Sequence, residues 1–324
     1  MIVCQSPDWT TRGCKTPFFV YDNNMKNTHL EHPEDEILTN GLEGVKNILK
    51  FLRDRNSKLS VKWDGAPAIV WGTCPFTGRV FVGTKSVFNK KKIKINYSHY
   101  DIEVNHGDVP KVASILHVCF DNLPRIEGIV QGDFIGFGGN DFYQPNTIEY
   151  NFGRLIRENV IIAAHTSYTS STHLKDAVAS FGVTENLDSD KVKFLNTDAR
   201  FSSRRNRIDL LLSLAGFMLP LVVFPDRKEG ERLKVEVNRC IREQRDIAEC
   251  GMNRNLMILY KFIIEIKELL MEGITSDEDV ECFIGDDKCD HEGFVMSNQF
   301  GTFKLIKREE FSYNNFTCAK NWTK

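Results

Sequence analysis

A lysine followed by an acidic turn lies early in the chain. In "SVKWDGAPAIVWG" (residues 60–72), Lys62 occupies an otherwise apolar segment, and Asp64 and Gly65 follow it. Such a lysine either keeps its ammonium group in water at a sheet edge or acts as a nucleophile, which requires the neutral amine. Burial or nearby cations favour the neutral amine, and the Asp-Gly turn would let a substrate approach the strand.

Charged residues also occur in three later apolar segments. Asp133 lies in "VQGDFIGF", Glu292 precedes "GFVM", and Lys304 and Lys307 lie in "TFKLIK". Isolated charges at strand positions of a single sheet would be costly to bury. Around a triphosphate and a divalent metal ion they have a use, because carboxylates bind the cation and lysines bind the phosphates.

The segments that must position these residues are predicted to be short antiparallel strands joined by turns. Their β-branched and aromatic residues support strands in "KLSVKWD", "PAIVWG", "RVFVGT", "GIVQGDFIGF", "NVIIAAHTSY" and "EGFVMSNQFGTFKLIK", the last folding back at residues 298–301. Helical spacing predicts a helix over residues 42–52 and a helical segment at "FGRLIREN". Residues 170–275 are predicted to be helical, and an acidic loop is predicted over residues 276–290.

These elements predict an α+β fold in three parts. Residues 1–169 and 276–324 would form one β-rich core, and residues 170–275 would be a helical insertion. The chain has 324 residues, 41% hydrophobic content and a formal net charge of −2, so an anionic partner would need a local basic patch. The nine cysteines, the absence of a recognisable signal peptide and the short apolar stretch at residues 210–224 predict a soluble cytoplasmic protein without a membrane partner. We also expect the protein to be a monomer.

Taken in order, the motifs resemble those of the covalent nucleotidyltransferase superfamily, which comprises ATP-dependent DNA and RNA ligases and mRNA capping enzymes. "KWDG" resembles the lysine-x-aspartate-glycine nucleophile motif, and "VFVGTKS" resembles the next phosphate-contact segment, with Lys85 where an arginine is common. "QGDFIGF", "VIIAAHTSY", "EGFVM" and "TFKLIK" resemble the later motifs. The resemblance covers residues 28–168 and 291–307 and implies an antiparallel, ATP-grasp-like adenylation domain with a helical insertion and no carboxy-terminal OB-fold.

The resemblance also implies a reaction and its residues. Lys62 would attack the α-phosphate of ATP and hold AMP as a phosphoramidate, AMP would pass to a 5′-phosphate, and a 3′-hydroxyl would displace it. Asp133 and Glu292 would bind Mg²⁺ or Mn²⁺ or contact the ribose, and His165 or Tyr168 would stack on the base. The residues expected to bind ATP are Val61, Asp64, Gly65, Lys85, Asp133, His165, Glu292, Lys304 and Lys307.

Two positions depart from the family pattern. The third motif usually carries a glutamate, whereas this chain has Asp133, which is one methylene shorter. The fifth motif usually spaces its lysines by two residues, whereas Lys304 and Lys307 are three apart. A regular strand would therefore direct them to opposite faces, which favours Lys304 as the phosphate ligand.

Only 17 residues follow Lys307, too few for an OB-fold, which favours an RNA-ligase-like enzyme of bacteriophage type acting in the host cytoplasm. RNA is preferred to DNA as the partner. A GTP-using guanylyltransferase and a non-catalytic nucleic-acid-binding module are the alternatives. Basic residues that would contact nucleic acid are Lys90, Lys91, Lys92, Arg204, Arg205 and Arg207, although charges in the helical segment would equally suit outer faces paired with glutamates.

Overall fold

The computed structural model describes residues 30–202, 206–277, 280–285 and 287–311 of the chain. The helices are α1 (Asp35–Thr39), α2 (Gly41–Arg53), α3 (His99–His106), α4 (Pro110–Asn122), α5 (Asn206–Met218), α6 (Arg227–Arg242) and α7 (Arg254–Glu272). The strands are β1 (Lys58–Lys62), β2 (Ala68–Thr73), β3 (Val80–Gly83), β4 (Ile129–Phe137), β5 (Phe142–Tyr143), β6 (Glu149–Asn151), β7 (Val160–Thr169), β8 (Val178–Phe181), β9 (Val192–Phe194), β10 (Asp198–Phe201), β11 (Ile274–Ser276), β12 (Glu281–Ile284), β13 (Asp287–Cys289), β14 (Gly293–Asn298) and β15 (Gly301–Ile306). The fold is therefore α+β, as the sequence predicted.

The strands form three sheets. The first has the order β11-β10-β1-β14-β15, and the second has the order β3-β2-β4-β7-β8. The third has the order β13-β12-β6-β5. Neighbouring strands are antiparallel, except that β9 pairs with β7 in parallel. The prediction of a single sheet was wrong, because β1 and β14 belong to one sheet and β4 and β7 to another.

Helices cover the outer faces of the first two sheets. The apolar face of α2, including Val45 and Ile48, packs with α5, α6 and α7 in one core that also includes Leu59 and Leu305 of the first sheet. Helices α3 and α4 cover the second sheet, with Leu116 among the residues that contact it. Burial of these apolar faces is the main stabilising contribution to such a layered arrangement. The opposite faces of the two sheets pack in part on the third sheet, in a core that includes Val61, Ile135 and Tyr150. The rest of these faces lines a cleft between the first two sheets.

The structure differs from the sequence prediction at several elements. Residues 178–201 form β8, β9 and β10 rather than helix, so the helical segment begins at Asn206. The predicted acidic loop contains the β12–β13 hairpin, which pairs with β6. "FGRLIREN" is irregular and includes Gly153 with a φ of +62°, a left-handed conformation that a helix does not contain. Helices α3 and α4 were not predicted.

Candidate functional site

A cleft of about 300 Å³ lies between the first and second sheets. This volume is at the lower end of the usual range for small-molecule sites. The charged or ionisable residues that line it are Lys62, Lys85, Asp133, His165, Glu292 and Lys304. Its other lining residues are Leu30, Ser60, Val61, Trp63, Gln131, Ala163, Thr166, Tyr168, Ala179, Phe181, Thr197, Val295 and Thr302. The cleft therefore brings together residues predicted from motifs that lie far apart in the sequence.

Strand register places Lys62 beside Glu292. Lys62 at the end of β1 is opposite Gly293, the first residue of β14, so Glu292 lies immediately next to it. The Nζ atom of Lys62 donates a hydrogen bond to Oε2 of Glu292 over 2.5 Å. The Lys62 side chain is 28% exposed and that of Glu292 is 7% exposed, so the pair is only partly open to solvent.

The electrostatic environment keeps Lys62 protonated. Burial lowers the pKa of Lys62, but the carboxylates of Glu292 and Asp133 outweigh burial and raise the pKa above its ordinary value. Burial raises the pKa of Glu292 despite the favourable charge of Lys62. The sequence interpretation had expected burial or cations to favour the neutral amine, and the structure instead places carboxylates around it.

Asp133 enters the cleft from β4 of the second sheet. Its Oδ2 atom lies 3.5 Å from Nε2 of His165. Burial raises the pKa of Asp133, but the nearby His165 and Lys62 lower it by more than burial raises it. The pKa of Asp133 is therefore below its ordinary value, which favours the carboxylate. Gly65 allows the chain to approach here, because a Cβ atom on Gly65 would lie 2.7 Å from Cβ of Asp133 and 2.8 Å from the oxygen of Phe134.

A β-bulge on β7 allows residues three apart to face the same cleft. Gln131 pairs with Thr166 whereas Gly132 pairs with Ala164, so His165 is the extra residue. Both candidates for base stacking, His165 and Tyr168, therefore line the cleft. The Tyr168 hydroxyl donates a hydrogen bond to Oε1 of Gln131 over 2.8 Å. A regular strand would have directed His165 and Tyr168 to opposite faces.

Two lysines join Lys62 in the cleft. Lys85 begins a 3₁₀ turn directly after β3, and Lys304 lies on β15 opposite Val295. Burial and the nearby Lys62 lower the pKa of Lys304. Lys307 lies beyond the end of β15, outside the cleft lining, and its Nζ atom is 3.9 Å from Oδ2 of Asp290. The two lysines of the "TFKLIK" segment thus diverge, as their spacing predicted.

Asp64 lies behind the cleft and organises a loop. Its carboxylate accepts hydrogen bonds from the side chain of Asn146 at 2.8 Å and from the backbone N–H groups of Thr147 and Ile148 at 2.8 and 3.1 Å. Its own backbone N–H donates to the Tyr150 hydroxyl over 2.7 Å. Asp64 thus fixes the chain that follows Lys62, and it is not among the residues that line the cleft.

The two carboxylates of the cleft suit a cation such as Mg²⁺ that also binds water or phosphate oxygens. Asp133 and Glu292 supply carboxylate oxygens from opposite sheets. Mg²⁺ commonly uses one or two carboxylates together with water and substrate phosphates. Within the described part of the chain, no group of three or more histidine, cysteine, aspartate or glutamate side chains is arranged to hold a metal ion. A cation here would therefore depend on oxygens from water or from a ligand.

A buried ionic cluster beside the cleft was not predicted from the sequence. Glu34 and Lys267 form an ion pair of 2.8 Å, and both side chains are almost fully buried. Arg308 donates a hydrogen bond to Asp35 over 2.8 Å. Glu34 and Asp35 belong to an acidic segment, for which a solvated surface would be the usual expectation, yet both residues are buried. The basic partners lie 233 and 273 positions away, so no local sequence signal relates them.

The residues predicted to bind nucleic acid have different surroundings. Lys90, Lys91 and Lys92 are exposed in the loop after the 3₁₀ turn. Arg204 and Arg205 lie outside the described residues, and Arg207 is 3.6 Å from Glu265. Other arginines of the helical segment pair with nearby glutamates, in Arg227–Glu231, Arg232–Glu229, Arg239–Glu236 and Arg245–Glu243. These pairs are the arrangement expected for solvated outer helix faces.

The fold and the cleft define an α+β protein in which two largely antiparallel sheets enclose a charged pocket of ligand size. The chain belongs to DUF6267, a family of unknown function whose profile matches residues 27–252 and 228–320. No curated protein and no solved structure gives a significant match to it. None of the helices in the described ranges is long and apolar enough to cross a bilayer.

Proposed function

We propose that the protein is an ATP-dependent polynucleotide ligase of the RNA-ligase type that works through a covalent lysyl-AMP intermediate. The observation that carries the proposal is the convergence of Lys62, Lys85, Asp133, Glu292 and Lys304 on one cleft. They come from five separate sequence motifs. Three lysines and two carboxylates around one pocket suit a triphosphate with a divalent cation.

In the first step, the neutral Nζ atom of Lys62 attacks the α-phosphorus of ATP. An N–P bond forms, the bond from that phosphorus to the bridging oxygen breaks, and pyrophosphate leaves with its electron pair. The ammonium group of Lys62 must lose one proton before the attack, and the attacking nitrogen loses a second once the N–P bond has formed. Glu292, which already accepts the hydrogen bond from Nζ, is placed to receive the first proton and pass it to water, which restores its carboxylate. The second proton would leave with the pyrophosphate. Lys85 and Lys304 would bind the phosphate oxygens.

Mg²⁺ or Mn²⁺, when bound, would offset charge on the phosphates and on the carboxylates that hold the Lys62 pKa high. Asp133 and Glu292 are the residues that would hold it. His165, whose Nε2 atom lies 3.5 Å from Oδ2 of Asp133, would hold this carboxylate toward the cleft and so compensate in part for a side chain one methylene shorter than glutamate. The AMP group would then pass to a 5′-phosphate, and a 3′-hydroxyl would displace it to join two ends.

A second candidate function is a nucleotide- or nucleic-acid-binding module without chemistry. The ion pair between Lys62 and Glu292 favours this candidate, because a protonated lysine is not a nucleophile. A guanylyltransferase activity is tested by the same experiment, since only the labelled nucleotide changes.

The test is transfer of label from α-labelled ATP to the protein with Mg²⁺, followed by a denaturing gel, with α-labelled GTP in parallel. We expect a labelled band with ATP that is lost in Lys62→Ala and retained in Lys58→Ala, an exposed lysine on the same strand. Lys62→Arg should also lose the label, because a guanidinium stays protonated. An adduct that persists in Lys62→Ala, or a wild-type protein that takes no label from ATP, would overturn the proposal.

A further inference from the structure

Two histidines and two acidic residues form a closed set of contacts on α3 and α4, away from the cleft. The Nδ1 atoms of His99 and His117 lie 2.7 Å apart. The Nε2 atom of His99 is 2.9 Å from Oδ1 of Asp121, and Nε2 of His117 is 2.6 Å from Oε1 of Glu103. The two imidazole rings are nearly parallel, with centroids 4.9 Å apart.

On both helices a histidine is followed by an acidic residue at the same spacing. "HYDIE" at residues 99–103 and "HVCFD" at residues 117–121 each carry a histidine and an acid four positions apart, which places both on one helix face. Each histidine contacts the acid of the opposite helix. The apolar residues of α3 and α4 pack on the second sheet, so this polar face is directed to the surface. The set is thus separate from the cleft.

The two neutral imidazoles have too few ring protons for the three contacts that they make. A carboxylate can only accept, so each Nε2 must carry a proton to donate to its acid. Two neutral imidazoles have one ring proton each, and both protons are then used on the carboxylates. Both Nδ1 atoms present lone pairs to each other, and the contact between them needs a cation, which is either a third proton or a metal ion.

We propose that His99 and His117 bind a divalent transition-metal ion such as Zn²⁺ through their Nδ1 atoms. Imidazole is a preferred ligand of such ions, and metal-bound histidines commonly donate their other ring N–H to a carboxylate, as Glu103 and Asp121 are placed to accept here. Two nitrogens on a tetrahedral ion lie about 3.3 Å apart, so the two Nδ1 atoms, now 2.7 Å apart, would have to separate by about 0.6 Å. Water would complete the coordination, and the ion would join α3 to α4.

Calorimetric titration of the full chain with Zn²⁺ tests the proposal. We expect a site that is lost in His99→Gln/His117→Gln and retained in His173→Gln, an exposed histidine outside the set. Co²⁺ added in place of Zn²⁺ should give an absorption spectrum without a thiolate charge-transfer band, because the chain's nine cysteines are an alternative source of binding. A thiolate band at this stoichiometry, or equal affinity in the double variant, would overturn the proposal.

A second variant keeps the histidines and removes only the acceptors. Glu103→Gln/Asp121→Asn should weaken Zn²⁺ binding by roughly 10–100-fold, the usual cost of losing such partners. Zn²⁺ should also raise the melting temperature of the wild type, and it should do so much less in the double-histidine variant, because only the folded state presents both nitrogens. A melting temperature that Zn²⁺ leaves unchanged in the wild type would contradict the proposal.

Discussion

The Nζ atom of Lys62 lies 2.5 Å from Oε2 of Glu292, at the point where β1 and β14 meet in register. Burial alone would lower the pKa of Lys62, yet the carboxylates of Glu292 and Asp133 raise the pKa overall. The amine is therefore held in its charged form until those carboxylates are neutralised or engaged by another cation. Any covalent chemistry at Lys62 must begin by changing this relationship.

The first prediction concerns the reactivity of Lys62 without any nucleotide. Glu292→Gln removes the leading favourable charge on Lys62, so its pKa should fall and its neutral fraction at a given alkaline pH should increase. Competitive acetylation with mass spectrometry should show faster labelling of Lys62 in the variant, with the whole pH profile moved to lower pH. Lys58, exposed on the same strand, serves as the internal control. An unchanged Lys62 profile would mean that Glu292 does not control the amine.

The second prediction concerns the two carboxylates of the cleft. If Asp133 and Glu292 bind the cation, Asp133→Asn and Glu292→Gln should each reduce adenylation by roughly 10²-fold, the scale of a lost electrostatic contact in a transition state. The apparent Mg²⁺ requirement should rise in both variants. Asp141→Asn, a half-buried aspartate on the loop after β4 and outside the cleft lining, is the matched control and should leave the rate unchanged. Near-normal rates in both cleft variants would place the cation elsewhere.

The extent to which the sequence predicted the structure depended on the range of the interaction. Lys62, Asp133 and Glu292 were predicted from local motifs, and the structure brings them to one cleft. The bulge at His165 could not be predicted, because strand alternation alone assigns His165 and Tyr168 to opposite faces. The Glu34–Lys267 pair was missed for a related reason, since its members are 233 positions apart and each is unremarkable in its own segment.

The third prediction compares two glycines. Gly65→Ala should reduce adenylation and stability, because the new Cβ would lie under 3 Å from Asp133, from the Phe134 carbonyl and from Ile135, on the strand that carries Asp133. Within the part of the chain that the structure describes, no atom outside the neighbouring backbone of α5 lies within 4 Å of a Cβ placed on Gly216. Gly216→Ala should therefore stabilise the protein by about 0.5–1 kcal/mol, since alanine is the better helix former. Urea unfolding and the labelling gel measure both effects.

A loss of stability in Gly216→Ala would show that the helix propensity of alanine does not determine the outcome at this position of α5. Normal adenylation in Gly65→Ala would show that the approach of this turn to β4 is not needed for the reaction.

The fourth prediction separates two basic surfaces. Replacement of Lys90, Lys91 and Lys92 with alanine should weaken binding of single-stranded RNA and reduce its salt dependence, because these exposed lysines follow a segment that lines the cleft. Replacement of Arg227, Arg232 and Arg239 with alanine should have little effect, because each already pairs with a glutamate of its own helix. Binding measured at several salt concentrations distinguishes the two. A larger loss in the arginine variant would place the RNA on the helical segment.

The last prediction concerns the buried ionic cluster. Lys267→Met should destabilise the protein by about 3–5 kcal/mol, because Glu34 would lose its closest cation while remaining fully buried. Lys261→Met is the matched control on the same helix, and its exposed pair with Asp246 should contribute little. Urea unfolding measures both variants.

The double variant Glu34→Gln/Lys267→Met tests whether the cost arises from an unpaired buried charge. Removing both charges should recover part of the stability lost in Lys267→Met, because Arg308 would retain its hydrogen bond to Asp35 over 2.8 Å. The cluster also adjoins the cleft, since Lys304 donates its backbone N–H to the Glu31 carbonyl over 3.1 Å. If Lys267→Met proved no more destabilising than Lys261→Met, the 2.8 Å pair would contribute nothing to the free energy of unfolding. Its role would then be confined to positioning the segment that carries Leu30 into the cleft.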